Sequence, residues 1–219
     1  MQTNLFKYIS GVIPVLVLAV AIGGCGSSGL GDTEMHNDSS TPTDIVVSST
    51  DSPVMPNVYK VGDIGPGGGV VFYVSQTPFT SRGSDCANSC LYLEVAPTEF
   101  PSSEWCKDKN IFIRFTSVEI GSGMNNTTRA RGACISGAIQ IASDYVNGGK
   151  NDWFLPSKDE LNELYLSRAL AGVSKMHWSS SEFEGDESVW AWAQYFHDGS
   201  QHPNKDKADA LGVRPIRAF

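Results

Sequence analysis

An eleven-residue apolar run near the N-terminus determines which part of this chain has to fold, and in which compartment. The run, residues 12–22, follows a short polar segment in which Lys7 is the only charged residue. A helix needs about 20 apolar residues to span a bilayer, so this run is too short for a stable membrane anchor. Its length and position are typical of the apolar part of a secretory signal peptide. We therefore predict that residues 1–24 form a signal peptide and that the chain is exported.

The leader ends in Ile22, Gly23, Gly24 and Cys25. Small residues before a cysteine at this position resemble the bacterial lipobox, although Leu is more usual than Ile at the position of Ile22. The resemblance implies cleavage before Cys25 and lipidation of its thiol; the alternative is an ordinary signal peptide with a chance cysteine. Several acyl chains on one residue suffice for stable anchoring. We expect an extracytoplasmic protein, lipid-anchored to the cell envelope at the outer membrane or the cell surface.

Residues 25–58 have the composition of a disordered tether. The stretch is rich in Ser, Thr, Gly, Asp and Pro, lacks aromatic residues, and contains five acidic residues but no Lys or Arg. It cannot bury enough apolar surface to offset the entropy lost on ordering, and its charges favour an extended, solvated chain. Residues 59–219 are long enough for one globular domain with its own core. That part has nineteen acidic and fifteen basic residues, so we expect no nucleic-acid partner.

Four segments of the domain have the pattern of β-strands. Residues 70–75 are β-branched and aromatic, residues 91–96 alternate, and residues 189–196 alternate strictly between large and small side chains. Residues 212–219 contain Pro215, which predicts an edge position or a bulge because proline donates no hydrogen bond. The glycine-rich residues 62–69 precede a strand and lack a phosphate-loop lysine, so they predict a tight turn.

Two further segments predict helices. Residues 127–146 follow a helical period, although Gly132 and Gly137 oppose helix formation. Residues 157–171 begin with Ser157 and Glu160 at the spacing of a capping box and end before a glycine. The order of elements predicts an α+β fold: a single compact, loop-rich domain with two main helices packed on a small, mostly antiparallel sheet.

Four cysteines remain after Cys25. An even number in an exported chain favours two disulfides, for which three connectivities exist. We predict Cys86–Cys90, a tight local loop, and Cys106–Cys134, which would join the loop after the second strand to the first helix. A zinc site is the alternative, but an oxidising compartment disfavours free thiolates. We expect no metal and no cofactor.

Several short motifs lie along the domain: residues 65–73, 91–97, 152–161 and 178–182, then Ala191, Trp192, Phe196, Gly199, Lys205 and residues 213–217. Together they resemble the Lcl C-terminal domain family, a set of exported bacterial domains of unknown function. The resemblance covers residues 59–219 and implies a C-type-lectin-like fold, distantly similar also to the formylglycine-generating enzyme. The namesake adhesin binds sulfated glycans, but this domain is net acidic and lacks a collagen-like repeat. It also lacks the Glu-Pro-Asn or Gln-Pro-Asp triplet of calcium-dependent lectins.

The ligand site is predicted around residues 197–217, the least acidic part of the C-terminal half. Arg214 and Arg217 are three positions apart, so in a regular strand they face opposite sides, and one of them should pair with a buried carboxylate. Tryptophans can stack on sugars, but most of Trp153, Trp178, Trp190 and Trp192 should be core, with at most one facing a ligand. The predicted ligand-binding residues are Trp190, Gln194, Asp198, Gln201, His202, Lys205 and Arg214.

Two other clusters have simpler interpretations. Serines 179–181 with His177 could form a nucleophile and a base, but local turn hydrogen bonding is the stronger interpretation. The acidic residues Glu182, Glu184, Asp186 and Glu187 suit calcium in their chemistry, although their spacing indicates a solvated loop.

We therefore predict a surface-anchored lipoprotein whose domain binds an extracellular ligand, glycan or surface protein, and no enzymatic activity. One alternative is an extracytoplasmic enzyme using Ser, His and Glu groups near residues 177–202. The other is a structural envelope protein without a small ligand. The oligomeric state stays open.

Overall fold

The protein is described by a computed structural model that covers residues 58–107, 111–186 and 188–219. The predicted signal peptide, Cys25 and nearly all of the predicted tether lie outside these residues. Within them the chain forms eight strands and four short helices. These are β1 Val70–Phe79, β2 Cys90–Val95, β3 Phe100–Ser103, α1 Gly123–Arg131, α2 Ala138–Asp144, α3 Lys158–Leu166, α4 Arg168–Ala171, β4 Met176–Glu182, β5 Trp190–Tyr195, β6 Gln201–Asp206, β7 Leu211–Val213 and β8 Ile216–Ala218.

The strands form two sheets. The smaller sheet has the order β1-β2-β8 and the larger one β3-β7-β4-β5-β6. Neighbours are antiparallel except for β4 and β7, which are parallel. The α+β class and the mostly antiparallel pairing are confirmed. The predictions of one small sheet and two main helices are wrong, because the predicted strand over residues 212–219 and both helical segments are interrupted.

The predicted strand over residues 212–219 is two strands in different sheets. β7 belongs to the larger sheet and β8 lies at the edge of the smaller one. Arg214 and Pro215 separate them, and the carbonyl of Pro215 accepts a hydrogen bond from Ala96 N at 2.9 Å. Proline cannot donate to a ladder, so the chain leaves one sheet at this point and joins the other.

The predicted helix over residues 127–146 is also interrupted, between α1 and α2. Gly137 has a φ of 108°, and a Cβ atom there would lie 2.8 Å from the carbonyl oxygen of Glu104. Gly132, in contrast, has a helical φ of −65° and open space where a side chain would be. Gly137 therefore cannot be part of a continuous helix, and it forms the N-cap of α2, whereas Gly132 keeps helical geometry as the C-cap of α1.

α3 begins as predicted. The Ser157 side chain accepts from Glu160 N, and the Glu160 carboxylate accepts from Ser157 N, which completes the capping box. The helix pauses at Ser167, whose hydroxyl donates to Phe72 O at 2.9 Å, and continues as the single turn α4. Gly172 then ends it with a φ of 62°.

Two hydrophobic clusters fill the domain. One lies around the smaller sheet and α3 and includes Leu93, Phe154 and Leu161; the other lies around the larger sheet and includes Trp105 and Trp178. Both predicted disulfides are present: Cys86–Cys90 precedes β2, and Cys106–Cys134 is buried in the second cluster. Among the described helices, none has the length and apolar character needed to cross a membrane.

Candidate functional site

The glycine-rich turn before β1 encloses a carboxylate of the protein itself. Gly67 N donates to Glu94 Oε1 at 2.9 Å, and Gly69 N donates to Glu94 Oε2 at 2.9 Å. A Cβ atom at Gly65 or Gly67 would collide with this carboxylate, which is why the turn has no side chains there. The run is thus a turn, as predicted, and its amides are already used by Glu94.

Arg217 completes this buried polar centre. Its guanidinium bonds Glu94 at 3.1 Å, Asp152, and Asp85 at 2.9 Å. Lys150 bonds Asp85 from the surface side. Burial opposes the charged form of Arg217, but the carboxylates of Asp152 and Glu94 raise its pKa above the ordinary value. The prediction that one of the two C-terminal arginines pairs with a buried carboxylate is confirmed for Arg217.

A pocket of about 330 Å³ opens between three parts of the chain. One wall is the segment before α1, a second is the first residue of α3, and the third is the end of β4 with the facing residue of β5. We call this the Trp192 pocket. It is lined by Thr116, Ser117, Val118, Glu119, Lys158, Glu182, Phe183, Glu184 and Trp192.

The first two walls are fastened to each other by the start of α3. Glu160 is buried, and its carboxylate accepts from Ser157 N at 2.7 Å and from Gly121 N at 2.8 Å. Asp159 N donates to Val118 O at 2.9 Å. Burial raises the pKa of Glu160 to about 7, despite the backbone N–H groups that favour its charged form. The helix cap therefore also positions the pocket wall.

The segment that enters the pocket has a strained backbone. Arg114 and Phe115 have φ values of 59° and 61°, directly before Thr116. Left-handed conformations of such residues cost about 1–3 kcal/mol each and persist only where surrounding contacts impose them. Here Glu182 imposes them from both sides: its carboxylate accepts from Ile113 N at 3.0 Å, and its own N–H donates to Thr116 Oγ1 at 3.0 Å.

Trp192 and Lys158 form the centre of the pocket. The Trp192 ring is half-buried, whereas Trp105, Trp153 and Trp178 are fully buried. The ammonium of Lys158 lies 5.0 Å from the centroid of the Trp192 ring, within the range of a cation–π contact, and 3.1 Å from Asp159 Oδ1. The pocket thus presents an aromatic ring, one ammonium and several oxygen atoms.

Glu182 connects the pocket to a buried ion pair. Its Oε1 lies 2.5 Å from Lys207 Nζ, and both side chains are fully buried. Lys207 also donates to Ile111 O at 2.9 Å and lies over the ring of Trp105. Oε2 of Glu182 is buried and has no hydrogen-bond partner within the described part of the chain. The carboxylate that lines the pocket therefore retains one unsatisfied acceptor.

Neither a family model nor a curated protein matches the sequence. A fimbrial protein from Bacteroides ovatus is similar in structure, with a TM-score of 0.45 and 13% sequence identity. The similarity covers 71% of this chain and 45% of that one, so this chain spans less than half of the fimbrial protein's length. The resemblance to the Lcl C-terminal domain family stays a prediction.

The structure does not gather the predicted ligand-binding residues into one site, although it brings some of them into pairs. Gln194 and Arg214 are buried: Gln194 donates to Asn162 Oδ1 at 3.0 Å, and Arg214 donates to Ala171 O at 2.7 Å. The register of β5 with β6 places His202 and Lys205 opposite Ala193 and Ala191, on the face away from Gln194.

Two of the predicted residues do lie near the pocket or on its side of the sheet. Gln201 pairs with Gln194 in register and donates to Lys158 O at 3.2 Å, so it supports the residue that carries the pocket's ammonium. Trp190 is half-buried on the same face of β5 as Trp192, but it does not line the pocket. Ligand binding by the predicted set stays untested.

Asp198, Ser200 and His202 form a small hydrogen-bonded set at the β5–β6 turn. Ser200 Oγ lies 2.7 Å from Asp198 Oδ1 and 3.0 Å from His202 Nε2. The serine hydroxyl therefore lies between the other two side chains, within hydrogen-bond distance of both. Bonds from Ser200 lower the pKa of Asp198, which makes it a weak base. In a Ser–His–carboxylate triad the carboxylate holds the imidazole, whereas here Asp198 bonds the serine instead.

The serines next to His177 have structural roles. The hydroxyls of Ser179, Ser180 and Ser181 donate to the carbonyls of Trp192, Pro156 and Ser117. His177 Nδ1 lies 3.1 Å from Lys175 O, and burial lowers its pKa although nearby Glu99 opposes the shift. These contacts agree with backbone bonding by serine, although the partners are distant in sequence. The absence of enzymatic activity stays a prediction.

The acidic loop does not act as one group. Glu182 is buried in its pair with Lys207, whereas Glu184 and Asp186 are exposed and Asp186 accepts from Ser188. Glu187 lies outside the described residues. In the described part of the chain, no cluster of His, Cys, Asp and Glu side chains could hold a metal ion.

Proposed function

We propose that this chain is an exported lipoprotein whose domain binds a glycan in the Trp192 pocket. The observation that supports the proposal most strongly is the half-buried Trp192 ring among hydroxyl, carboxylate and ammonium groups. Sugar rings have apolar C–H faces that stack on an aromatic ring and hydroxyls that need hydrogen-bond partners. The pocket offers both kinds of group at one place.

The proposed location follows from the cysteines. Two disulfides within residues 86–134 fit an oxidising compartment outside the cytoplasm. Cys25 would then be the acylated residue that anchors the chain to the membrane, and residues 26–58 would separate the domain from the lipid surface. A pocket displayed on such a tether suits a recognition or adhesion role.

The proposal includes membership in the Lcl C-terminal domain family and a C-type-lectin-like fold. The two small sheets, the short helices and the irregular segment before α1 agree with a loop-rich domain of that kind. Within this proposal the pocket replaces a calcium-dependent sugar site, since the sequence lacks the corresponding triplets.

A glycan array tests the proposed function. The full chain, purified in detergent and labelled on its lipid-proximal tether, is applied to an array of neutral, amino and sulfated glycans. We expect reproducible binding to a restricted set of glycans that an excess of the same free sugar abolishes. Binding to no glycan by protein with intact disulfides would contradict the proposal and favour a structural envelope protein.

A further inference from the structure

We propose that the Trp192 pocket selects a glycan that bears a free amino group, so that its ligand is a cationic amino sugar and not a sulfated one. This inference rests on the proposed function and specifies the ligand class of the same pocket. It depends on three features of the described residues: the charges of the lining, the contact of Lys158 with Trp192, and the unsatisfied oxygen of Glu182.

The lining of the pocket is acidic. Three of its nine residues are glutamates, Glu119, Glu182 and Glu184, and the only basic residue among them is Lys158. Lys158 is itself compensated by Asp159 at 3.1 Å. Glu182 is paired with Lys207, so the negative charge that an entering group meets comes from Glu119 and Glu184. This charge would repel a sulfate or carboxylate group and attract an ammonium group.

The Trp192 ring already has a cation above it. Lys158 Nζ lies 5.0 Å from its centroid, so the face of the ring that borders the pocket is suited to an ammonium group. Lys158 is at the first position of α3 and its side chain is long and flexible. An amino sugar could displace the lysine ammonium from the ring and occupy the same position.

Glu182 supplies a second interaction for a cation. Glu182 lines the pocket, and its Oε2, which has almost no solvent-accessible surface, has no hydrogen-bond partner among the described residues. Buried carboxylate oxygens are normally satisfied, so an unsatisfied one beside a pocket indicates a missing donor. An ammonium group has three N–H donors and no acceptor, which makes it the complementary group.

The test compares three matched probes with the full chain in detergent by isothermal titration calorimetry at about pH 6. The probes are a glucosamine tetramer with free amines, the same tetramer fully N-acetylated, and a sulfated oligosaccharide of similar length. We expect the glucosamine tetramer to bind about tenfold more tightly than its acetylated form, and the sulfated probe not to bind. Equal or tighter binding of the acetylated or sulfated probe would overturn the inference while leaving the proposed function intact.

Two variants distinguish a cation site from an anion site. Lys158→Met removes the resident ammonium, so it should strengthen binding of the glucosamine tetramer by about threefold or more; an anion site would be weakened instead. Glu184→Gln should weaken binding by about threefold. Asp209→Asn is the matched control, because it makes the same charge change at an exposed residue that does not line the pocket.

Three further results also test whether the ligand is a cationic amino sugar. Loss of binding in Lys158→Met with an unchanged circular dichroism spectrum would overturn the inference. So would tighter binding of a lysine-containing peptide than of the glucosamine tetramer, since that result would indicate a protein ligand. If no probe binds but the array gives signals from other glycans, only the ligand class is wrong.

Discussion

Arg217 is the residue at which three carboxylates from separate parts of the chain meet. Glu94 comes from β2, Asp152 from the segment before α3, and Asp85 from the loop containing the first disulfide. Removing a single partner from such a buried centre leaves charges without compensation, which costs more than the loss of an exposed ion pair.

We predict that Arg217→Met lowers the free energy of unfolding by about 3–5 kcal/mol, as measured by urea unfolding of the full chain. The matched control is Arg131→Met, which breaks an exposed pair with Asp144 and should cost at most about 1 kcal/mol. Equal losses in the two variants would show that the buried centre contributes no more to stability than a surface ion pair.

The sequence predicted part of this centre and missed the rest. The spacing of Arg214 and Arg217 predicted that one of them would pair with a buried carboxylate. The outcome is right but the reason is not, because a break in the strand separates the two arginines and both are buried. The use of Gly67 and Gly69 by Glu94 depends on contacts across more than twenty residues, which a local pattern does not contain. The sequence feature that could have predicted these hydrogen bonds is a glycine run before one strand with an acidic residue in the next strand.

At the scale of secondary-structure elements, two glycines in the predicted first helix have opposite roles. Gly137 has a positive φ, and its Cα is close to the backbone of Glu104 and Trp105. Gly132 has helical geometry with open space around it. The sequence shows both glycines but not their different roles. The role of Gly137 depends on Glu104 and Trp105, about thirty residues earlier in the chain.

We predict that Gly137→Ala destabilises the domain by about 2 kcal/mol or more, since the added methyl meets backbone atoms that cannot move cheaply. Gly132→Ala should be neutral or stabilise by up to about 1 kcal/mol, because it lowers the entropy of the unfolded chain at a compatible φ. Thermal unfolding of both variants gives the comparison. A larger loss of stability in Gly132→Ala than in Gly137→Ala would contradict the roles assigned to the two glycines.

The cap of α3 was predictable because Ser157 and Glu160 are only three positions apart. The pKa of Glu160 was not, because it depends on burial by the rest of the domain. Burial raises the pKa of Glu160 to about 7 from an ordinary value of 4.5. Folding therefore takes up a proton between these two pH values. From this group alone, the free energy of unfolding should fall as pH rises from about 4.5 to 7 and stay constant above.

The predicted size of this change is about 3 kcal/mol. His177 acts in the opposite direction over part of the range, because its lowered pKa costs stability as pH falls below 6.5. The informative quantity is therefore the stability of the native chain minus that of Glu160→Gln, measured by urea unfolding from about pH 5 to 8. We expect this difference to fall across that range; a constant difference would contradict the raised pKa of Glu160.

At the scale of the whole molecule, the cysteines gave the most complete prediction. Both disulfide pairs are as expected from an even count in an exported chain. The Trp192 pocket was not predicted, because its walls come from residues 116–119, 158, 182–184 and 192. Trp192 could be noted as a strand tryptophan, but the sequence does not show which tryptophan of β5 borders a pocket.

Anchoring through Cys25 gives a prediction about the entire chain. In cells that process lipoproteins, the native chain should partition into the detergent phase and lack residues 1–24 by mass spectrometry. Cys25→Ser should leave it in the aqueous phase, and Arg131→Met should partition like the native chain. Recovery of an unacylated chain that starts at Met1 would contradict lipidation.

Titration with the glycan preferred on the array tests whether Trp192 contacts the ligand. The native chain, Trp192→Ala and Trp190→Ala are compared by calorimetry; both variants remove a half-buried tryptophan from the same face of β5, but only Trp192 lines the pocket. We predict about tenfold or greater loss of affinity for Trp192→Ala and little change for Trp190→Ala. Unchanged affinity in a folded Trp192→Ala protein would contradict ligand binding in the Trp192 pocket.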